Sequence, residues 1–369
     1  MRRVRALEPG EDALAALRDA LAGGPALFPV PPGASSRAEP TVPQRVALIV
    51  ETSGSTGAPK RVALSADAVL ASAAASESAL GGPGQWVLAL PTHYIAGLNV
   101  LARSIAAGID PVAVEGEHFT AEGFVKAAHR MGVPERFTAL VPAQLATLLE
   151  DDAATKELRG FQAVLVGGQA MPVPLREAAA AAGVRVVRSY GSSETSGGCV
   201  YDGVPIGQTA VRVDDGEVWL HGPSLAEGYL GDPELTERRF RMHDGLRWWT
   251  TGDGGTWDGE RLTVTGRLDD VLISGGVKVA PAAVERVLHE VPGFADAVVV
   301  AVGDARWGES PVAITTGTGD AAAAIAAVEQ VLGAPARPAR VIRVETIPLL
   351  PSGKPDRVAL RALAVRAAD

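Results

Sequence analysis

Hydroxyls, two glycines and a lysine are packed into Thr52-Ser53-Gly54-Ser55-Thr56-Gly57-Ala58-Pro59-Lys60. Glycine leaves backbone N–H groups open to a ligand, hydroxyls add donors and lysine adds charge, which together make a phosphate cradle. The spacing is not that of a Walker A loop, because Pro59 stands five residues after Gly54. A second group is Ser189-Tyr190-Gly191-Ser192-Ser193-Glu194-Thr195. Its ring can stack on a base, a hydroxyl can bond a phosphate, and a carboxylate can hold Mg²⁺. In Thr251-Gly252-Asp253 the carboxylate can accept both hydroxyls of a ribose. Gly266, Arg267, Asp269, Gly276 and Lys278 fall in one run where the texture of the chain changes, and Lys354 lies on the turn Pro351-Ser352-Gly353-Lys354-Pro355. Taken singly, the Tyr190 group reads as a strand-end tyrosine, the Asp253 group as a turn and Lys354 as a solvated surface lysine.

These groups need elements to hold them. Apolar runs at 46–50, 86–90, 137–141, 163–166 and 184–188 predict strands, with helices at 65–78 (Ser65 as cap) and 142–149 between them. The phosphate-cradle segment is expected to leave a strand and enter a helix. Apolar strands spaced by helices imply a predominantly parallel sheet flanked by helices. Short pieces at 217–221, 246–250 and 261–266 predict hairpins of a small β-rich subdomain. A third texture follows: strands at 271–274, 297–302 and 340–344, helices at 281–290 and 320–332, and a last helix opened by Pro355. The expected fold class is therefore α/β, with a large domain over 1–268 and a small mobile α+β domain over 269–369.

Composition limits the function classes. The 369 residues are 47% hydrophobic and 21% charged, which suits a folded core. There are 34 basic and 43 acidic residues, a net charge of −9, so the chain lacks the basic footprint of a nucleic-acid binder. One cysteine, Cys199, excludes an internal disulfide framework and a cysteine-rich zinc site, and fits a reducing compartment. The arginine-rich start is interrupted by Glu8, Glu11, Asp12 and Asp19, so an amphipathic helix from near Glu11 is expected rather than a signal peptide. No run approaches the roughly 18 apolar residues of a spanning helix. The expectation is a cytoplasmic protein without a membrane span.

In this order the five segments resemble the acyl- and aryl-adenylating superfamily of acyl-CoA synthetases, peptide-synthetase adenylation domains and luciferases. The resemblance runs from about Val46 to Lys354. It implies that a carboxylate attacks the α-phosphate of ATP to give an acyl-adenylate, after which a thiol displaces AMP. Residue by residue, it implies that Thr52, Ser53, Gly54, Ser55, Thr56, Gly57 and Lys60 hold the β- and γ-phosphates. Gly167, Gly168 and Gln169 would line the adenine and acyl pocket, Tyr190 and Gly191 the adenine, and Ser193 the α-phosphate. Glu194 would bind Mg²⁺, and Asp253 the ribose with Arg267 beside it. Asp269 would be the hinge, Lys354 the adenylating lysine, and Gly276 and Lys278 would serve the thioester-forming pose.

Two departures accompany the resemblance: Arg61 stands where the family usually has glycine, and only about fifty residues precede the phosphate segment. That short lead implies a reduced amino-terminal subdomain. The chain ends one helix after Lys354, so free coenzyme A is the expected acceptor. The stretches 90–99 and 197–203 look most like the compact o-succinylbenzoate–CoA ligases of menaquinone biosynthesis, with His93 at the acyl gate and a catalytic position there. The implied small-molecule partners are an aromatic keto-diacid, ATP and CoA. The alternatives are another short aryl- or fatty-acid–CoA ligase, or a nucleotide-binding pseudoenzyme. A second carboxylate calls for a bidentate arginine, with Arg103 and Arg188 as candidates. A monomer and a homodimer are equally compatible with the sequence.

Overall fold

The computed structural model describes residues 1–31, 41–52, 60–116, 118–350 and 354–367. Four sheets organise the described chain. The first, of six strands, runs Gly228–Tyr229, Lys60–Ser65, Val46–Thr52, Ala26–Pro29, Arg2–Leu7 and Thr41–Val42. The second, of seven strands, is parallel from Val186–Ser192 through Ala163–Val166, Arg136–Leu140 and Gln85–Leu88 to Val112–Ala113. Gly197–Tyr201 and Val204–Pro205 extend it antiparallel on the other edge.

The expected α/β layout is present, with one refinement. The apolar strand Val46–Thr52 belongs to the first sheet, and the four apolar strands that follow it belong to the second. Helices Ala66–Leu80 and Ile95–Ala107 lie in the core that joins the two sheets, which also holds Leu48, Val62, Leu64, Cys199 and Val200. Every residue from Gly97 to Ser104 is buried, the pattern of a helix enclosed on all sides.

The phosphate segment is positioned differently from expectation. Thr52 pairs directly with Lys60, and Val46–Thr52 runs antiparallel to Lys60–Ser65. The strands on either side of the segment therefore pair with each other, and the helix starts only at Ala66, with Ser65 accepting from Ala68 N–H. The arginine-rich start is a strand, Arg2–Leu7, before the expected helix Ala13–Leu21 with its Asp12 cap. Arg2 is buried and donates to the carbonyls of Ala20, Gly24 and Val46, so its charge ties three elements together.

The β-rich subdomain is a five-stranded antiparallel sheet built on the long strand Leu246–Trp257. After Arg267 the chain forms a separate sheet around Gly308–Thr315, with its own apolar clusters around Phe294 and Leu360. Helix Pro281–His289 joins this unit to strand Leu262–Arg267, where Arg286 donates to the Thr265 carbonyl at 2.9 Å. Among the described residues no helix is long and apolar enough to cross a membrane.

Candidate active site

Strands of two sheets converge on Asp253. The Tyr190 phenol donates to Asp253 Oδ2 at 2.7 Å, and Arg267 Nη1 reaches Oδ1 at 3.3 Å. Asp253 and Arg267 are brought together by direct register in the antiparallel pair of Leu246–Trp257 with Leu262–Arg267. The same guanidinium forks onto Asp269 at 2.8 and 2.7 Å, a bidentate pair that fixes its plane. Arg267 therefore links the ribose candidate to the hinge candidate. Burial pushes the Asp253 carboxyl above its usual range, against the Tyr190 hydrogen bond and the Arg267 charge. Burial beside Asp253 likewise holds the Tyr190 phenol far above its usual pKa, so it stays a donor.

Backbone geometry supports this cluster. Gly252 has φ +74°, and a Cβ there would stand 2.9 Å from the Arg267 guanidinium. Its N–H donates to Glu217 Oε1 at 2.8 Å, and the Asp253 N–H donates to Thr251 Oγ1 at 2.9 Å. Beside Tyr190, Gly191 pairs with Gly198 after a bulge, and a Cβ on Gly191 would lie 2.1 Å from the Gly197 carbonyl oxygen. Gly167 approaches the Ser189 backbone as closely as a Cβ allows, at 3.0 Å. Gly168 has a positive φ, and it and Gln169 are exposed.

Strand Val186–Ser192 ends in the single turn Ser193–Thr195, with Ser193 buried. Glu194 projects from this turn, its two carboxylate oxygens each held once. Ser192 Oγ donates to Oε2 at 2.7 Å, and Tyr229 Oη donates to Oε1 at 2.9 Å. A carboxylate oxygen has about two acceptor positions, so each keeps one for a cation. Among the described residues there is no cluster of three or more His, Cys, Asp or Glu that would cage a metal. A single hard carboxylate fits Mg²⁺ shared with substrate phosphates, the usual arrangement for that ion.

Lys354 arrives from the carboxyl-terminal unit. Its side chain is solvent-exposed, and desolvation by its neighbours holds its pKa below the ordinary lysine value. Asp253 and Glu194 act against that depression, whereas Arg267 adds to it, so all three lie within electrostatic reach of the ammonium.

Not every expected residue joins this group. Ser53, Gly54, Ser55, Thr56 and Gly57 lie outside the described residues. Thr52 and Lys60 flank them, with Thr52 Oγ1 donating to the Lys60 carbonyl at 3.4 Å. Arg61 pairs with Glu51 across the same two strands at 3.3 Å and lies over the Phe28 ring, so its charge braces them. His93 precedes helix Ile95–Ala107, packs on the Tyr94 ring at 4.1 Å, and is held below its usual pKa by burial. Gly276 and Lys278 sit on the hairpin of Leu272–Ser274 with Val277–Val279, where Lys278 is exposed and a Cβ on Gly276 would meet nothing. Cys199 is buried in the main core, its thiol pushed up to about 12 by that burial.

The structure also brings in residues the sequence reading passed over: Ser192, Glu217 and above all Tyr229. A buried tyrosine needs a partner for its hydroxyl, which is the one signal that could have marked Tyr229. Of the two arginine candidates, Arg188 is exposed and paired with Asp202 at 2.8 Å. Arg103 is buried among apolar residues, stacked over Trp86 at 4.8 Å, with one long bond to Tyr201 Oη and its Nε without a partner.

Comparison with known proteins follows the same division. Residues 7–230 match the model of the AMP-binding enzyme family, and residues 283–354 that of the AMP-binding enzyme C-terminal domain. A relative named probable 2-succinylbenzoate–CoA ligase, from Mycobacterium tuberculosis, is 42% identical over 364 residues, covering 94% of each chain. An o-succinylbenzoate CoA synthetase from Bacillus subtilis, solved with its acyl-adenylate intermediate, is 28% identical with a TM-score of 0.73. The match covers 86% of this chain and 69% of that one. The same synthetase solved with ATP and a magnesium ion also has a TM-score of 0.73 and 28% identity, over 85% and 70% of the two chains.

Proposed function

The chain belongs to the family of AMP-binding enzymes, and from that we propose that it joins 2-succinylbenzoate to coenzyme A through an acyl-adenylate. It is an AMP-forming acid–thiol ligase that uses ATP, Mg²⁺ and CoA, a step of menaquinone biosynthesis. In the first half-reaction a carboxylate oxygen attacks the α-phosphorus and pyrophosphate leaves. In the second the CoA sulfur attacks the acyl carbon, its proton is lost, and AMP leaves.

The observation that carries the residue assignments is the hydrogen-bonded group of Tyr190, Asp253 and Arg267, with Lys354 within electrostatic reach of Asp253, Arg267 and Glu194. In our reading Asp253 takes the ribose hydroxyls with Arg267 as its clamp, and Tyr190 and Gly191 form the wall against the adenine. Ser193 bonds the α-phosphate, and Lys60 with the preceding hydroxyls and glycines grips the β- and γ-phosphates. Glu194 would hold Mg²⁺, which would offset charge on the phosphate oxygens. Lys354 bridges the attacking carboxylate and the α-phosphate, aligning the pair and stabilising the charge that builds between them. The small unit, which we divide from the large one at 268/269, then turns about Asp269 to bring Gly276 and Lys278 to the thioester step.

Arg103 is our assignment for the distal carboxylate. It is buried, its side-chain hydrogen bond goes to the neutral Tyr201 hydroxyl while Nε has no partner, and the helix that carries it begins just after His93. The test is pyrophosphate release across a panel of carboxylic acids. We expect a clear preference for 2-succinylbenzoate over benzoates lacking the succinyl carboxylate. In Arg103→Met that preference should fall by about 100-fold, the scale for losing a hydrogen bond to a charged group. Equal rates across the panel for the unsubstituted enzyme, or an undiminished preference in Arg103→Met, would end the assignment.

A further inference from the structure

Tyr229 contributes to neither the adenine wall nor the lysine bridge, yet its phenol ends on the carboxylate we assign to Mg²⁺. It is only 8% exposed, and its hydroxyl donates to Glu194 Oε1 at 2.9 Å. Its backbone is fixed from two directions. The two-residue strand Gly228–Tyr229 runs antiparallel to Lys60–Ser65, with Tyr229 opposite Val62. Its N–H donates to Thr236 Oγ1 at 2.9 Å, and Thr236 donates in turn to the Asp232 carbonyl at the head of helix Pro233–Arg239. The ring packs on Phe240 at 5.8 Å.

One side chain thus joins two parts of the phosphate machinery. Lys60 opens the strand that Tyr229 pairs with, two residues before Val62. The Ala226 N–H also donates to the Glu194 carbonyl at 2.8 Å, so the segment before Tyr229 holds the turn that carries Glu194. With Ser192 on the other oxygen, the carboxylate has no freedom to rotate without losing a hydrogen bond.

We propose that Tyr229 is the positioning residue for the metal carboxylate, locking the orientation of Glu194 and its placement against the strand that bears Lys60. The inference rests on the assignment of Glu194 to Mg²⁺, and the two can fail separately. A ligating carboxylate is tuned by its outer hydrogen bonds, whose loss typically weakens metal affinity by 10- to 100-fold.

The experiment is calorimetric ATP binding to the full chain as a function of Mg²⁺ concentration, repeated with the metal chelated. For Tyr229→Phe we expect the half-saturating Mg²⁺ to rise about tenfold while metal-free ATP binding stays within a factor of two. Electron paramagnetic resonance with Mn²⁺ gives a second reading of the same affinity without turnover. Thr236→Val loosens Tyr229 from outside the site and should shift the metal requirement in the same direction by less, which keeps the test open if the phenylalanine variant does not fold. In Glu194→Gln the metal requirement should rise, and adding Tyr229→Phe to it should change nothing further. If Glu194→Gln shifts the metal requirement and the folded Tyr229 and Thr236 variants do not, the positioning role is wrong. An equal loss of ATP affinity with and without metal in Tyr229→Phe also overturns it. If Glu194→Gln itself leaves the metal requirement unchanged, the metal assignment fails first.

Discussion

The ammonium of Lys354 lies within electrostatic reach of Asp253, Arg267 and Glu194, and desolvation lowers its pKa below the ordinary lysine value. Only the protonated form can offset charge on the reacting oxygens, and that form is lost as pH rises through the lowered pKa. The alkaline limb of kcat/KM for adenylation should therefore fall below the ordinary lysine value of about 10.4. Lys354→Arg should move that limb out of range, because a guanidinium stays charged. A limb that does not move would assign it to another group. Lys354→Ala should slow pyrophosphate release by about 100- to 1,000-fold, the scale for removing one preorganised donor. Thioester formation from preformed acyl-adenylate should change far less in that variant, and equal loss of both steps would contradict the two-pose assignment.

Among elements, the close approach of strands Val186–Ser192 and Gly197–Tyr201 fixes the backbone of Tyr190 and Gly191, to which we assign the adenine wall. Gly191→Ala would push a methyl into the Gly197 carbonyl oxygen, and since that neighbour is backbone it cannot turn aside. We expect a loss of about 1–3 kcal/mol in urea unfolding, the range for overpacking, together with weaker ATP binding. The order of these elements was legible in advance, because apolar runs and caps such as Ser65 and Asp320 depend on neighbours in sequence. So were Tyr190, Glu194, Asp253, Arg267 and Lys354, whose residue types stand in motifs. What was hidden depends on pairing at a distance. Nothing local in Val46–Thr52 reveals that it joins a different sheet from the apolar strands after it. Lys60–Ser65 carries no mark of a strand that folds back on Val46–Thr52. Tyr229 acquires its partner only because Gly228–Tyr229 pairs with that returning strand.

Across the whole molecule, the small unit brings Lys354 within electrostatic reach of Asp253 and Glu194 and carries Lys278 exposed on its hairpin. Lys278→Ala should leave pyrophosphate release unchanged and slow thioester formation by about tenfold, a loss of some 1.4 kcal/mol in barrier terms. Stopped-flow separation of the two half-reactions would check this, and slowing of the first would place Lys278 wrongly. Cys199 has a different consequence. Disulfide exchange proceeds through a thiolate that must be reachable, and the chain's one sulfhydryl is enclosed in the core with its ionisation suppressed. Native protein should leave Ellman's reagent uncoloured, and the denatured chain should release one equivalent of dye. A catalyst whose second substrate is a mercaptan thus offers that mercaptan no partner for a mixed disulfide, and oxidised coenzyme A should find nothing on it to cap.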